Sequence, residues 1–383
     1  MLKYFKKSGD LMKAVGIICE YNPMHNGHLY HLKKVRELFP GYTIILVLGG
    51  NYTQRGEFSI IDKWKKTEIA LNYVDLVIEL PFVFAVQAAD IFAKGACEIL
   101  KNLKVDAVVF GSECDNISNL KKMVKIQESD DYHKRVNYFL DKGLNYPTAL
   151  SKSLEDLGGD NIKDSNDLLA LGYVRNLMDS DIIIKTIKRT NDYNSLDLNL
   201  EYASGTGIRK ALREGIDVSK FVPKVTYDNL NNLHFFEDYF ELLKYKIISD
   251  DDLSKYQTVD EGIEGRIKKE IYKATSLDDL IKRVKSKRYT YAKINRMFLH
   301  IFVGFTKEEA KRFNKLEYIR VLGFNNKGRG YLKYIKDKCS LPIITKYSKD
   351  FPMLDLENRV NEIYNIKEKD DLESDYKHKP IIF

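Results

Sequence analysis

Three of the seven histidines in this 383-residue chain lie close together near its start, at His25, His28 and His31. The first two belong to the tetrapeptide His25-Asn26-Gly27-His28, which fits the pattern H-x-G-H. A glycine at the third position lets the main chain approach a nucleotide closely. The two imidazoles can donate hydrogen bonds to phosphate oxygens as negative charge builds up in a transition state. The spacing therefore predicts chemistry at a phosphate group.

The residues around the tetrapeptide predict a strand, a tight turn and the start of a helix. Ala14–Cys19 is a short apolar run rich in Val and Ile, which is typical of a buried strand, and Glu20–Pro23 is a polar break. From Gly27 onward, Leu29 and Leu32 follow helical spacing. A helix that begins just after a strand aims main-chain N–H groups and its positive end at an anion.

Two other interpretations of these histidines remain open from the residues alone. The side chains could serve only to cap the helix, or they could bind a structural zinc ion. Zinc is the weaker alternative, because positions i, i+3 and i+6 spread the ligands around a helix and no Cys follows closely. We therefore predict a phosphate site and no dedicated metal site.

Further apolar runs predict a sheet. Four runs read as strands, at Thr43–Leu48, Val74–Leu80, Val105–Phe110 and Ile182–Ile187, with helical patterns such as Lys63–Tyr73 and Gln87–Leu100 between them. Strands that alternate with helices are typical of βαβ units on a parallel sheet. We therefore predict an α/β fold with a Rossmann-like, doubly wound parallel sheet. Ligands on such sheets bind at the carboxyl ends of the strands.

The pattern changes near residue 222, where the strand signal fades and amphipathic helical patterns follow. We predict three segments: an N-terminal tail, residues 1–11; a domain that carries the phosphate site, residues 12–222; and a mostly helical C-terminal domain, residues 223–383. Within the last segment, Asn325–Gly330 predicts a turn and Leu341–Thr345 a short strand.

Positive charge is concentrated in one part of the C-terminal segment. The whole chain has a net charge of +7, and residues 281–349 carry 19 Lys and Arg against 4 Asp and Glu. Such a local excess indicates a polyanionic partner; the alternative is a solvated helical face. Tyr289, Tyr291, Phe298 and Phe302 are interleaved with the basic residues and could stack on bases.

The cysteines and the hydropathy of the chain indicate the cellular compartment in which the protein works. The four cysteines show no C-x-x-C spacing, which favours reduced thiols. No apolar run approaches the length of about 18 residues that spans a membrane, and the first eleven residues lack the apolar core of a signal peptide. We expect a cytoplasmic protein with no membrane partner and no obligate protein partner.

Polar residues follow several of the predicted strands. Arg55, after the second strand, could hold a carboxylate or phosphate as a planar fork or could pair with Glu57. Gly111, after the fourth strand, predicts ligand contact or a plain turn. Ser165 or Asn166 could cap a helix or contact adenosine, and the sequence leaves both possibilities open.

A second anion site is predicted beyond the fifth strand, which ends at Lys188 and Arg189. Ser204 and Thr206 precede a helix that starts near Gly207, so their hydroxyls and the first helical N–H groups could cradle an anion. Arg209 adds a positive charge. A G-x-G match in a loop is weak by itself, but beside H-x-G-H it predicts the other wall of a phosphate site.

Together these motifs resemble one enzyme family. The segments V-G-I-I-C-E-Y-N-P-M-H-N-G-H-L, G-N-Y-T-Q-R-G-E, F-G-S-E, S-N-D, I-K-R and A-S-G-T-G-I-R-K-A-L occur here in that order. So do K-R-Y-T-Y-A-K-I-N-R-M and R-V-L-G-F-N-N-K-G-R-G-Y-L. The chain resembles the bacterial tRNA(Met) cytidine acetate ligases of the H-x-G-H nucleotidylyltransferase superfamily. Two departures are Met24, where an aromatic residue is common, and the extra N-terminal leader.

The resemblance implies an activity. Such an enzyme uses ATP, with Mg²⁺ on the pyrophosphate, to activate acetate as acetyl-adenylate. It then acetylates N4 of the wobble cytidine, position 34, of elongator tRNA(Met). Two alternatives are a nucleotidylyltransferase that acts on a small phosphorylated metabolite, and an RNA-binding protein with an inactive nucleotide fold. The basic segment disfavours the first, and the intact H-x-G-H motif disfavours the second.

The expected site residues fall into three sets. The catalytic set is His25, His28 and Arg209. The ATP-binding set is Ile18, Cys19, Glu20, Tyr21, Asn22, Pro23, Met24, His25, Asn26, Gly27, His28, Leu29, Tyr30, His31, Gly111, Asn166, Lys188, Arg189, Ser204 and Thr206. The RNA-binding set is Lys287, Arg288, Lys293, Arg296, Lys327 and Arg329.

Overall fold

The computed structural model describes residues 11–160, 165–189, 203–368 and 374–383, so the predicted tail lies almost entirely outside the described residues. Its strands are β1 (Ala14–Cys19), β2 (Thr43–Gly49), β3 (Leu76–Leu80), β4 (Ala107–Ser112), β5 (Ile183–Lys188), β6 (Ile319–Phe324), β7 (Ile343–Ile344) and β8 (Ile381–Ile382). The five strands predicted in the first half are therefore confirmed, with ends that differ by at most two residues.

The helices of the first half lie between these strands. They are α1 (Asn26–Leu38), α2 (Lys63–Leu71), α3 (Phe82–Ala85), α4 (Ala89–Asn102), α5 (Ile117–Gln127), α6 (Asp130–Asp141), α7 (Tyr146–Asp156), α8 (Ser165–Leu177) and α9 (Gly205–Arg213). The second half contains α10 (Lys224–Tyr227), a 3₁₀ turn (Phe236–Tyr239), α11 (Phe240–Ser249), α12 (Ile263–Glu270), α13 (Leu277–Val284), α14 (Tyr291–Val303), α15 (Lys307–Arg312), α16 (Asn326–Ile335), α17 (Pro352–Tyr364) and α18 (Ser374–Lys377).

One sheet runs through the molecule in the order β5-β4-β1-β2-β3-β6-β7, with β8 also paired to β6. Strands β1 to β5 are parallel, whereas β6 runs antiparallel to β3. This mostly parallel sheet confirms the predicted α/β fold. The carboxyl ends of β5, β4, β1 and β2 therefore share one edge of the sheet.

Side chains alternate between the two faces of the sheet, and each face has its own core. Val15 and Ile17 of β1 pack in a core that includes Leu32 and Val35 of α1. Ala14, on the opposite face, belongs to the other core, together with residues of α4, α8 and the C-terminal helices. Helices thus cover both faces, which explains why the central strands are apolar almost throughout.

The sheet continues across the boundary predicted at residues 222 and 223, because β6 comes from the C-terminal segment and pairs with β3. The boundary itself stays a prediction. The predicted turn at Asn325–Gly330 is wrong, because Asn325 is the N-cap of α16 and its Oδ1 accepts from the main-chain N–H groups of Lys327 and Gly328. Gly328 lets α16 approach the main chain at Asp75, where a Cβ would lie 2.0 Å from the carbonyl oxygen.

A buried ion network joins the C-terminal segment to the sheet. Lys63 pairs with Glu79 and, at 2.7 Å, with Asp375, and Arg320 on β6 contacts Glu79 at 3.2 Å and Asp375 at 2.8 Å. Burial raises the pKa of Glu357, the third carboxyl group, to about 8. The pKa of Asp375 is lowered by Arg320 and Lys63, although burial acts in the opposite direction. Lys63 and Arg320 thus lie among the carboxyl groups of Glu79, Glu357 and Asp375 in the interior.

No helix in the described ranges is both long and apolar enough to cross a lipid bilayer.

Candidate active site

A cavity opens at the carboxyl ends of β1, β4 and β5, between the N-termini of α1 and α9. Most of the predicted catalytic and ATP-binding residues line it. They are Ile18, Cys19, Glu20, Tyr21, Asn22, Pro23, His25, Gly27, His28, Tyr30, His31, Gly111, Asn166, Lys188, Arg189, Ser204 and Arg209. The structure thus brings together five motifs that are up to about 190 residues apart in the sequence.

Four predicted ATP-binding residues are not among the described residues that line the cavity. Met24 and Leu29 pack in the core on the α1 face of the sheet. Asn26 supports the turn, because its Nδ2 donates to the carbonyl oxygen of Lys220 at 2.8 Å. Thr206 accepts a long 3.5 Å hydrogen bond from Arg209. These side chains support the residues that line the cavity. The prediction had assigned every residue of the motif to direct contact with ATP.

His25 and His28 together cap α1. The Nδ1 atom of His25 accepts from the main-chain N–H of Gly27 at 3.1 Å, and Nδ1 of His28 accepts from the main-chain N–H of His25 at 3.1 Å. The ring centroids are 3.8 Å apart. The capping interpretation is therefore correct, but it occupies only the Nδ1 atoms. A neutral imidazole that accepts at Nδ1 carries its proton on Nε2, so each ring keeps one donor.

Burial keeps all three histidines neutral. It lowers the pKa of His25 to about 3 and that of His31 to about 4, and it lowers the pKa of His28 well below its ordinary value. The positive charge of Arg189 acts in the same direction on each ring. The Nε2 atom of His31 is buried without a hydrogen-bond partner among the described residues. At neutral pH these rings can offer N–H groups to an anion without a fixed positive charge.

These protonation states are directly measurable. We expect long-range ¹H–¹⁵N spectra of the free protein at pH 6 to show His25 and His28 as neutral rings with the proton on Nε2, because their pKa values are depressed and backbone N–H groups occupy Nδ1. Single substitutions of each histidine would assign the signals. A doubly protonated pattern at pH 6 would contradict this arrangement.

A second group of polar residues surrounds the ends of β4 and β5. Asn166 at the start of α8 donates to Oε1 of Glu113 at 2.6 Å, and Nε of Arg189 lies 3.3 Å from the same oxygen. Asp167 accepts from the hydroxyl of Ser112 at 2.7 Å. This network fixes Arg189 beside Gly111, where a Cβ would lie 3.3 Å from Cγ of Arg189. The side chain of Ser165 and residues 190–202 lie outside the described residues.

The two predicted anion cradles face each other. Ser204 caps α9 by accepting from the main-chain N–H of Gly207 at 3.0 Å. Arg209 donates to the carbonyl oxygen of Asn22 at 2.9 Å and to Glu57 at 2.9 Å. A Cβ at Gly205 would lie 3.9 Å from Cδ2 of His25. The N-termini of α1 and α9 therefore form opposite walls of one cavity.

Several lining residues were not assigned to the site from the sequence. They are Phe92, Phe110, Leu169, Tyr173, Ile187, Ala203 and Gly205. Arg55, which the sequence offered as a ligand for a carboxylate or phosphate, lines the same cavity together with Gln54. Leu169 and Tyr173 are four residues apart on α8 and lie on one helical face. That spacing could have placed both residues on the side of α8 that faces the sheet. It does not distinguish a side chain buried in the core from one that lines a cavity.

The six predicted RNA-binding residues are divided between two places. Lys287 and Arg288 are exposed in the turn between α13 and α14, and Lys293 lies half-buried on α14, 5.0 Å from the ring of Tyr289. Lys327 and Arg329 lie on α16, at the edge of the sheet opposite the carboxyl ends of the parallel strands. There Nζ of Lys327 donates to the carbonyl oxygen of Tyr42, just before β2, at 2.7 Å.

Arg296 departs from the prediction. Its side chain is 9% exposed, and its Nη1 donates to the carbonyl oxygen of Gln54 at 3.0 Å. Burial also lowers its pKa to about 10. The neighbouring Gly56 has a φ of +78°, and a Cβ there would lie 2.3 Å from the main-chain nitrogen of Arg296. Arg296 thus holds the loop after β2 against α14 and does not face solvent.

Comparison with known proteins identifies the family. A family model described as HIGH Nucleotidyl Transferase matches residues 12–379. A tRNA(Met) cytidine acetate ligase from Caldanaerobacter subterraneus subsp. tengcongensis is 42% identical over an alignment of 356 positions, which covers 88% of this chain and 89% of that protein. The protein of the same name from Caldicellulosiruptor bescii is 38% identical over an alignment of 396 positions, which covers 97% of this chain and 98% of that protein. This chain belongs to the tRNA(Met) cytidine acetate ligase family.

Solved structures agree with the fold. The apo crystal structure of TmcAL from Thermotoga maritima is similar with a TM-score of 0.90 at 32% identity, over 97% of this chain and 100% of that one. A crystal structure of the same protein bound with alpha-thio ATP gives a TM-score of 0.87 over 97% and 99% of the two chains. The family predicted from the ordered motifs is therefore confirmed, together with the HIGH nucleotidyl transferase fold.

Proposed function

We propose that this chain is an ATP-dependent ligase that activates acetate as acetyl-adenylate and then acetylates N4 of the wobble cytidine of elongator tRNA(Met). The observation that carries the proposal is a pair of neutral imidazoles, His25 and His28, which cap α1. They lie between two helix N-termini at the carboxyl edge of a parallel sheet. Membership of the tRNA(Met) cytidine acetate ligase family supports the choice of substrates.

In the first step a carboxylate oxygen of acetate attacks the α-phosphorus of ATP, and pyrophosphate leaves. Acetate is a weak nucleophile and needs no deprotonation at neutral pH, so stabilisation of the charge on phosphorus dominates. We assign the Nε2–H groups of His25 and His28 to the α-phosphate oxygens. We assign the α9 N-terminus and Arg209 to the pyrophosphate.

Magnesium would enter with the triphosphate. The described residues contain no group of three or more His, Cys, Asp or Glu side chains that could hold a metal ion. The phosphate oxygens themselves are hard ligands that suit Mg²⁺, which usually keeps several of its waters. We therefore propose that MgATP is the substrate, and we assign no metal ligand to the protein.

In the second step the cytosine amine attacks the acetyl carbonyl and AMP leaves. The reacting base must be unstacked to reach a cavity at the sheet edge, as a base in an anticodon loop can be. Lys287, Arg288 and Lys293 support a route for the RNA. They lie at or near the start of α14, whose main chain packs against Gly56 in the loop that carries Gln54 and Arg55 into the cavity. We propose residues 223–383 as the tRNA-binding region on this basis.

Incubation with ATP, labelled acetate and bulk tRNA, followed by nucleoside analysis, tests the proposal. The expected product is labelled N4-acetylcytidine in elongator tRNA(Met), with AMP and pyrophosphate formed alongside it. Omission of ATP is the control and should abolish labelling. Transfer of AMP to a small phosphorylated metabolite, with no label in tRNA, would instead support a plain nucleotidylyltransferase.

The RNA route gives a second test. Replacing both Lys287 and Arg288 by alanine should weaken tRNA binding and lower the slope of log K against log salt by about 2, because each phosphate contact contributes about 1. Fluorescence titration of tRNA at several salt concentrations measures this slope. The matched control removes Lys121 and Lys125, which are exposed on α5, outside the proposed tRNA-binding region. Equal effects of the two double variants would contradict the proposed route.

A further inference from the structure

Glu20 carries the one carboxyl side chain among the described residues that line the cavity. It follows β1 directly and borders the same cavity as His25 and His28. Its Oε1 accepts from the main-chain N–H of Gln54 at 2.6 Å. Among the residues that the structure describes, no donor reaches its Oε2. One oxygen is therefore held in position, and the other is left for a ligand.

A buried lysine holds the main chain at Glu20. Lys66 is buried, and its Nζ donates to the carbonyl oxygens of Glu20, Gly49 and Gly50 at 2.9, 2.8 and 2.6 Å. Three carbonyl groups share the ammonium group, so it joins the ends of β1 and β2 without a direct hydrogen bond to the carboxylate. The charges of Lys66 and Arg55 lower the pKa of Glu20, but burial has the larger effect and raises it.

A carboxylate at this position does not assist the binding of anions. The proposed first step brings a triphosphate and acetate into the cavity, and both would be repelled by a negative charge. A carboxylate oxygen accepts hydrogen bonds from N–H groups, as it does from the N4 amine of cytosine in nucleic-acid recognition. Of the reactants in the proposed function, adenine and cytosine carry such an amine.

The order of the strands separates these two bases. Gly111, Asn166 and Arg189, three of the predicted ATP-binding residues, surround the ends of β4 and β5 on one side of β1, and we assign adenosine to that side. Glu20 is directed toward the other side, because its Cγ is 3.4 Å from where a Cβ on Gly49 of β2 would be. With the phosphates held at α1 between the two sides, the space beside Glu20 belongs to the second substrate.

We propose that Glu20 accepts the proton of the cytidine N4 amine during acetyl transfer, an assignment that rests on the proposed function. The nitrogen lone pair attacks the acetyl carbonyl carbon, and the new N–C bond forms. The bond from that carbon to the phosphate oxygen breaks, and AMP leaves with the electron pair. The N4 proton passes to Oε2 of Glu20 and from there to solvent. The amine thus becomes an amide without a net change in the enzyme.

The two half-reactions can be measured separately on Glu20→Gln. The amide retains an oxygen that can accept from the Gln54 N–H, but it cannot take up a proton. Adenylation is followed as acetate-dependent exchange of pyrophosphate into ATP. Transfer is followed in a single turnover from synthetic acetyl-adenylate to tRNA. We expect transfer to fall by about 10²-fold or more, the scale of general base catalysis, and at least tenfold more than exchange falls.

Each outcome has a clear meaning. Equal losses in both half-reactions would overturn the assignment, because they would indicate a structural or ATP-binding role. Unchanged transfer would also overturn it. Glu20→Asp, which keeps a shortened proton acceptor, should recover part of the transfer rate while Glu20→Gln does not. If the unmodified protein showed neither half-reaction, the proposed function itself would fail, which is a result distinct from a selective loss in the variant.

Discussion

Replacing His28 by alanine is expected to lower acetyl-adenylate formation by about 10²–10³-fold, the effect of losing one oriented donor to a transition-state oxyanion. The ring of His28 carries its proton on Nε2, because Nδ1 accepts from the main-chain N–H of His25. Alanine removes the donor and leaves the phosphate oxygen to water. Acetate-dependent pyrophosphate exchange measures the loss, and tRNA binding should persist.

The alanine variant also removes half of the α1 cap, which costs about 1 kcal/mol of stability. His28→Asn separates the two effects, because its Oδ1 can accept from the His25 N–H in place of Nδ1 while the Nε2 donor is lost. We expect the asparagine variant to regain stability and to remain as slow as the alanine variant. Full exchange activity in either variant would rule out the proposed role of His28.

Replacing Arg320 by methionine is expected to lower the free energy of unfolding by about 3–5 kcal/mol, the typical cost of breaking a buried ion pair. Arg320 is 3% exposed and contacts both Glu79 and Asp375. Methionine fills part of the volume but leaves excess negative charge in the interior, with Lys63 as the remaining cation of the network. Guanidinium-induced unfolding, followed by circular dichroism, measures the change.

The matched control is Arg135→Met. Arg135 pairs with Asp156 at 2.9 Å, but the two side chains are 49% and 37% exposed, so the loss of this pair should cost no more than about 1 kcal/mol. Similar unfolding free energies for the two variants would show that the buried network contributes little to stability.

The sequence predicts the sheet well where strands are continuous apolar runs, as in β1 and β2. It does not predict β6, because Arg320 interrupts the run and a charged residue normally argues against a buried strand. Only the tertiary structure brings Glu79 and Asp375 to that arginine. The same limit explains Asn325, whose neighbours resemble a turn by composition but form the first turn of α16.

In the candidate site, too, some residues could be predicted from local patterns and others depend on the tertiary structure. H-x-G-H and the strand ends are local patterns, so His25, Gly111 and Arg189 could be named in advance. Arg296 was assigned to RNA from the charge count, which does not reveal that its side chain turns inward to Gln54. The protonation states of the histidines also depend on burial and on main-chain contacts at α1, which no pattern of residue types contains.

The pairing of β6 with β3 has a consequence for synthesis on the ribosome. When the first 222 residues have emerged, β3 has no neighbour on one side, and the partners of Lys63 from the last thirty residues, Glu357 and Asp375, do not yet exist. The nascent nucleotide-binding half therefore presents an open hydrogen-bonding edge and a poorly compensated charge until β6 and Asp375 have emerged. Its final consolidation therefore has to wait until β6 and Asp375 have been synthesised, so the N-terminal half is expected to be completed by residues from the other half of the chain.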